Sequence, residues 1–182
     1  MGADCEGNWV ETDEELVARA NRGERGAFEG LYRRYREWAY RLAWRWCGQA
    51  EDAQDVVQEV FIWLAGKFPG FELRARLTTV LYPAVKHTAL AVRRKRRREV
   101  VRAEVPEVEG QEIERGEGEL AVVLSGLSAA HREVILMRYV DEMTVEEMAA
   151  ALEVPAGTVK SRLHHAVGAL REDARVRRYF ER

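Results

Sequence analysis

The sequence predicts an all-α protein: two small helical domains joined by a flexible linker. Three observations carry this. Apolar residues recur at helical spacing through most of the 182 residues, whereas strand-like alternation is weak. Two capping-box patterns, Thr12 with Glu15 and Thr144 with Glu147, mark helix starts early and late in the chain. Charge is segregated: a net charge of −2 conceals six consecutive cations, "RRKRRR" at 93–98, followed over 99–119 by eight Glu against Arg102 and Arg115.

Taken in order, residues 1–11 form an acidic N-terminal tail. The first fifteen residues hold six acids and no Lys or Arg, unlike a secretory signal. The first domain spans 12–98 and opens with a helix capped by Thr12. After the turn-like "NRGERG" (21–26), Phe28, Leu31, Tyr32, Tyr35, Ala39, Leu42 and Trp46 trace one helix face. "CGQAED" (47–52) interrupts it. Ala53, Val56, Val57, Val60, Phe61 and Leu64 then give the buried stripe of the next helix, and "GKFPGF" (66–71) interrupts again. A third long helix runs from about Leu77 toward Arg98, with Val80, Leu81, Ala84, Val85 and Val92 roughly in line. Pro83 inside it removes one backbone hydrogen bond, so the helix is expected to kink or to restart there.

Residues 99–119 contain Pro106, three glycines and few large apolar side chains, the composition of a linker. The second domain spans 120–174. Ser128 is placed to cap a helix over 129–139, Thr144 opens the short helix "VEEMAAAL", and after "EVP" a last helix runs from about Pro155 to Arg171. Pro at a first helical position is favourable because its missing N–H would be unpaired there anyway. Residues 175–182 are a C-terminal tail.

Composition removes several function classes. Hydrophobic content of 47% and charged content of 33% suit a soluble globular chain. No apolar run approaches the roughly 20 residues of a membrane helix, so no membrane insertion is expected. Cys5 and Cys47 are the only cysteines; without a disulfide framework the expected setting is a reducing cytoplasm. The sequence has no P-loop, no nucleophile–base signature and no spaced Cys/His cluster. An enzyme, a cofactor, a metal site and a small-molecule substrate are therefore not expected.

Two short helices joined by a tight turn are the layout of a helix-turn-helix. On its second helix Val159, Leu163, Ala166, Val167 and Leu170 form the inward stripe. Lys160, Ser161, Arg162, His164 and His165 lie off that stripe, toward the half that enters the major groove in helix-turn-helix docking. Arg and Lys pair with guanine edges, and Ser and His hold phosphates or base edges. Spacing alone leaves a solvated polar face as an equal reading. Adjacent histidines do not share a helix face, so a metal pair is not expected there. In the first domain Asp55, Gln58, Glu59 and Ile62 recur at offsets of three, one and three, an acidic strip with one aliphatic residue. It reads either as a solvated face or as a dock for a basic partner helix. The cationic tract suits phosphate contacts without sequence preference.

"HREV", "RYVDEMTVEEMA" and "VPAGTVKSRLHHA", within 127–172, resemble region 4 of bacterial sigma-70-family factors, in the form of the extracytoplasmic-function (ECF) group. "AFEGLYRRY" (27–35), "EDAQDVVQEVF" (51–61) and "ARLTTVLY" (75–82) are similar to region 2 of the same group, in the same order and spacing. The resemblance implies an initiation factor that binds core RNA polymerase and directs it to promoter DNA. Region 4 would read the minus-35 element; region 2 would read and help melt the minus-ten element. By position, Lys160, Ser161 and Arg162 match the family's minus-35 readers, and Thr158 matches a phosphate contact at the helix N-terminus. His164 and His165 fall in the same surface. The strip, with Asp52, matches the surface that docks on the polymerase clamp helices. The loop "KFPGFELRAR" (67–76) and the helix after it match the minus-ten readers. Phe71 would help form a pocket for an unstacked base; Arg74 and Arg76, then Lys86, His87, Arg93 and Arg94 further on, would hold phosphates. A core plug is the competing reading of Phe71.

The chain departs from the family pattern in places. Arg is usual at the position of His165, Trp at Val80, a polar or basic residue at Pro83, Asn at His87 and Asp at Ala91. These departures imply a reshaped minus-ten surface. Two alternatives stand beside a working sigma factor: a standalone helix-turn-helix regulator, and a decoy that titrates polymerase or an anti-sigma factor. An anti-sigma factor is also a candidate partner of the leading reading.

Overall fold

The computed structural model describes residues 11–102, 119–173 and 176; most of the expected tails and the segment 103–118 lie outside the described residues. Among the described residues there are eight helices and no strand. They are α1 (Asp13–Asn21), α2 (Ala27–Cys47), α3 (Ala50–Ala65), α4 (Leu77–Arg102), α5 (Glu119–Ser125), α6 (Ala129–Tyr139), α7 (Val145–Leu152) and α8 (Ala156–Glu172). The chain divides into two compact units, Met1–Arg96 and Arg97–Arg182.

In the first unit, α1 opens on the expected capping box. The Thr12 hydroxyl accepts from the Glu15 amide (3.2 Å), and the Thr12 amide donates to the Glu15 carboxylate (2.7 Å). The Tyr35 hydroxyl donates to Asp13, tying α2 to α1; burial first, and this bond second, raise the phenol pKa above its ordinary range. Helix α2 ends where Gly48 takes φ +75, a conformation glycine adopts without strain, and its N–H donates to the Trp44 carbonyl (2.8 Å). The break is shorter than "CGQAED" suggests. Helix α3 restarts at Ala50, which places Glu51 and Asp52 in its first turn, where acids complement the helix dipole. Its buried stripe is Ala53, Val56, Val57, Val60, Phe61 and Leu64, as the periodicity predicts.

Helix α4 differs from expectation in three ways. Its buried residues are Leu77, Thr78, Leu81, Tyr82, Val85 and Ala89, whereas Val80, Ala84 and Val92 are only partly buried. The stripe is phased by Leu77 at the start of the helix and continues in steps of four. The helix also runs through Pro83 without restarting. The Thr79 carbonyl, four residues back, therefore has no Pro83 N–H to accept from. Finally, α4 extends to Arg102, so residues 99–102 of the expected linker are helical.

In the second unit α5 is a helix the sequence reading did not anticipate; it is seven residues long. Arg132 of α6 holds its end: Nε donates to the Leu124 carbonyl (2.9 Å), and one terminal nitrogen donates to those of Ser125 (3.1 Å) and Leu127 (3.2 Å). Ser128 caps α6 as predicted, its hydroxyl accepting from the His131 amide. Thr144 and Glu147 form the second capping box, at the start of α7. Val134, Ile135, Met137, Met143, Met148, Ala151, Val159 and Ala166 fill the core of α6, α7 and α8. The turn between α7 and α8 places Glu153 at φ 54, and the Val154 amide closes back on the Ala149 carbonyl (3.0 Å). Pro155 stands one position earlier than expected, as the N-cap residue of α8.

Candidate nucleic-acid and polymerase interfaces

The apolar side of α8 decides which side is left for a partner. Val159 and Ala166 are buried, and Leu163, Val167 and Leu170 pack on the cluster of Leu124, Leu127 and Ile135. Lys160 and Ser161 are consequently exposed; Thr158 and Arg162 are partly buried. No side chain caps the start of α8. Unpaired first-turn N–H groups, with the positive end of the helix dipole, favour an anion there. His164 and His165 are exposed on the same helix, but their rings are not independent. His165 stacks on His131 of α6 at 6.2 Å between centroids, and His164 meets His165 edge-on at 5.7 Å. The Cβ positions diverge as a helix requires, yet the rings still touch. Three of the chain's four histidines thus form one cluster, in which the exposed His165 ring stacks on His131 of α6.

On α3, Asp55, Gln58, Glu59 and Ile62 are all exposed, Ile62 at 66%. Beside Ile62 the structure adds Trp63, 41% exposed, with the Lys67 ammonium 4.9 Å from its ring centroid. Sequence reasoning missed Trp63, although its position off the buried stripe and next to Ile62 was a usable signal. Asp52 differs from its neighbours on the strip. Its carboxylate is 17% exposed and pairs with Arg96 of α4 at 3.0 Å.

The loop between α3 and α4 is built on aromatic contacts. Phe28 meets Phe61 (6.5 Å) and Phe68 (5.8 Å) edge-on, and Phe68 meets Phe71 at 5.4 Å. Phe71 is partly buried at the outer end of this chain of rings, which combines the two readings of it: it leans on the core and still shows a face. Asn21, at the end of α1, holds the loop backbone with three hydrogen bonds. Sequence reasoning missed it because its partners lie about fifty residues away. Arg74 and Arg76 are exposed, Arg74 pairing with Glu72 at 2.8 Å.

Residues 31–99 match the family model Sigma-70 region 2, and residues 123–172 match Sigma-70, region 4. The ECF RNA polymerase sigma factor SigW of Bacillus subtilis is 30% identical over 177 residues, covering 87% of this chain and 95% of the relative. The RNA polymerase sigma-E factor of Streptomyces coelicolor is 32% identical, covering 83% of this chain and 88% of its own. The chain belongs to the sigma-70 family, as an ECF sigma factor. Solved structures agree on the fold. One is CnrH in complex with the cytosolic domain of CnrY (TM-score 0.65, 23% identity, 88% of this chain and 95% of that one). Another is the sigma factor RpoE in complex with the anti-sigma factor NepR from Bartonella quintana (TM-score 0.61, 24% identity, 81% and 96%).

Within this ECF sigma factor the region 2 match covers most of α2, all of α3 and nearly all of α4; the region 4 match holds α6, α7 and α8. On α4, Lys86 is partly buried with its ammonium 4.9 Å from the Trp46 ring centroid, and His87 is exposed. Two turns on, Arg93 is partly buried and Arg94 exposed, so Lys86 with Arg93, and His87 with Arg94, share faces of the helix. The Cys47 thiol is pushed up to about 11, mainly by burial and then by Asp52. Among the described residues no group of three or more His, Cys, Asp and Glu side chains is placed to hold a metal ion. No helix among them is long and apolar enough to cross a membrane.

Proposed function

We propose that this ECF sigma factor brings core RNA polymerase to promoters through two separate DNA-reading heads. In region 4, Lys160, Ser161 and Arg162 read the minus-35 element in the major groove. Thr158 receives a phosphate at the start of α8, and His164 and His165 flank the same surface. In region 2, Phe71 stacks on an unstacked base of the minus-ten element. Arg74, Arg76, Lys86, His87, Arg93 and Arg94 hold its phosphates. Asp55, Gln58, Glu59 and Ile62 dock on the polymerase clamp helices, with Trp63 extending the apolar part of that contact. Asp52 contributes there through the Arg96 pair that fixes it. The domain plan is region 2 from residue 12 to the end of α4, a linker beyond Arg102 and region 4 from α5 to 174, working in the cytoplasm beside the polymerase. The phosphodiester chemistry belongs to the polymerase, and this chain contributes binding and strand-separation energy. An anti-sigma factor is the natural inhibitory partner, since the related RpoE is solved with one.

The observation that carries this reading is the sidedness of α8. Val159 and Ala166 are buried while Lys160 and Ser161, one and two residues past Val159, are exposed. The test is transcription in vitro with core polymerase on a genomic promoter library, followed by start-site mapping. Promoter-specific transcripts sharing a minus-35 and a minus-ten element are expected. Polymerase binding with no transcript from any template would overturn the proposal. Tight duplex binding without polymerase would mark a standalone regulator instead.

A further inference from the structure

The loop that region 2 offers to the minus-ten element is not held by its own sequence. Its "FPGF" half (68–71) is clamped from α1. The Asn21 side-chain oxygen accepts from the Gly70 amide (2.7 Å) and from the Phe71 amide (3.0 Å). The Asn21 side-chain nitrogen donates to the Phe71 carbonyl (2.9 Å). One primary amide thus satisfies three backbone groups of the loop, two of them on the same residue. Gly70 sits at φ +102, where a residue with a Cβ is strained, so the amide it presents to Asn21 depends on glycine. The Phe71 ring is held separately by Phe68, whose own ring meets Phe28 of α2. Backbone and ring of Phe71 are therefore fixed by different elements. The five residues that follow, "ELRAR", are exposed apart from partly buried Leu73.

This division of order has a consequence for recognition. Single-stranded DNA is flexible, and a flexible loop meeting it would have to be ordered in the same step, at the expense of affinity and of base discrimination. A loop already fixed at Phe71 presents its stacking face without that cost. We propose that Asn21, through its bonds to the loop backbone, is a positioning residue for minus-ten recognition. It holds Gly70 and Phe71 in the conformation that receives the unstacked base. The inference rests on the proposed role of region 2 at the minus-ten element.

The test uses the full chain assembled with core polymerase. Its probe is a promoter fragment taken from the start-site map, with its minus-ten element intact or scrambled. Asn21→Ala is expected to speed hydrogen exchange at the Gly70 and Phe71 amides. It should also reduce discrimination between intact and scrambled elements by about tenfold. Affinity for core polymerase and sensitivity to the minus-35 element should not change. Asn21→Asp keeps the acceptor for both amides but loses the donor to the Phe71 carbonyl, and should fall between wild type and Asn21→Ala. Gly70→Ala leaves Asn21 in place and has open space for its methyl, so its effect comes from backbone strain alone; it should reproduce the selective loss. Unchanged amide exchange in Asn21→Ala overturns the clamp. Faster exchange with discrimination intact overturns the positioning role while leaving the region 2 reading standing. Wild-type holoenzyme indifferent to scrambling overturns the region 2 reading and the inference with it.

Discussion

Arg132 offers the most exposed test of how region 4 is held together. Helix α5 has seven residues, too few to persist alone in water. It owes its place to Val123 and Leu124 in the core and to the Arg132 guanidinium, which occupies the carbonyls of Leu124 and Ser125 at its C-terminal end and that of Leu127 just beyond it. A cation there also faces the negative end of the helix dipole. Hydrogen bonds to a charged donor contribute roughly 1.5–3 kcal/mol each, but three bonds from one partly exposed side chain are not additive. Arg132→Met, which keeps the apolar stem, should therefore cost about 2–3 kcal/mol. The assay follows from where the tryptophans lie. Residues 9, 38, 44, 46 and 63 are the five of the chain, all ahead of region 4. Tryptophan fluorescence therefore follows the first unit, while far-UV circular dichroism follows both. In urea the dichroism component with no fluorescence counterpart should move down by about 2 M, at a slope of roughly 1 kcal/mol per M for so small a unit. The fluorescence transition should stay in place. Because Leu163, Val167 and Leu170 of α8 pack on the Leu124 and Leu127 cluster, minus-35 affinity should fall with it. A shift below about 0.5 M, or an equal shift in both signals, would refute the idea that Arg132 holds α5 in place.

Three further outcomes are expected. Lys160→Ala and Arg162→Ala should each weaken holoenzyme binding to a minus-35 duplex by about 1–3 kcal/mol where the contact is to a base, measured by titration at fixed salt; full affinity in both would remove their reading role. Ile62→Glu should lower affinity for core polymerase by about 1–3 kcal/mol with little change in folding stability, because the side chain is 66% exposed in the free chain. Unaltered affinity in a pull-down titration would mean that α3 does not dock by this strip. Cys47, in a Cys5→Ser chain, should react with iodoacetamide at pH 8 at least about tenfold more slowly than a free thiol, the loss of thiolate outweighing its greater basicity. Its raised pKa of about 11, against roughly 8.5 for a free thiol, leaves far less thiolate, and the rate should climb about tenfold per pH unit until pH nears that value. Alkylation at the free-thiol rate would contradict the partial burial of Cys47 beside Ala89 of α4.

What the sequence made legible, and what it hid, divides by the range of the forces involved. The caps at Thr12, Ser128 and Thr144 and the stripe of α3 could be read directly, because each is settled within one or two helical turns. The phase of α4 could be read only in part: Leu81 and Val85 are buried as expected, whereas Val80, Ala84 and Val92 fit a helical stripe as well as Leu77 and Ala89 do. Only packing decides between them. Helix α5 was hidden because it is short and its stabilising cation comes from the next helix. Apart from Trp63, which was locally legible, the other omissions join residues far apart in sequence: Asn21 with Phe71, Asp52 with Arg96, His131 with His165 and Trp46 with Lys86. Three of these four bear on region 2, whose minus-ten surface the sequence reading also expects to be reshaped around Val80, Pro83, His87 and Ala91. A surface whose residues are set by partners forty or more positions away can change its display without changing its motif. Lys86 illustrates this: placed in the minus-ten set by position, it spends its charge partly on the Trp46 face. Trp46→Leu should therefore alter minus-ten affinity through Lys86 without touching DNA, an effect that motif matching alone would never locate.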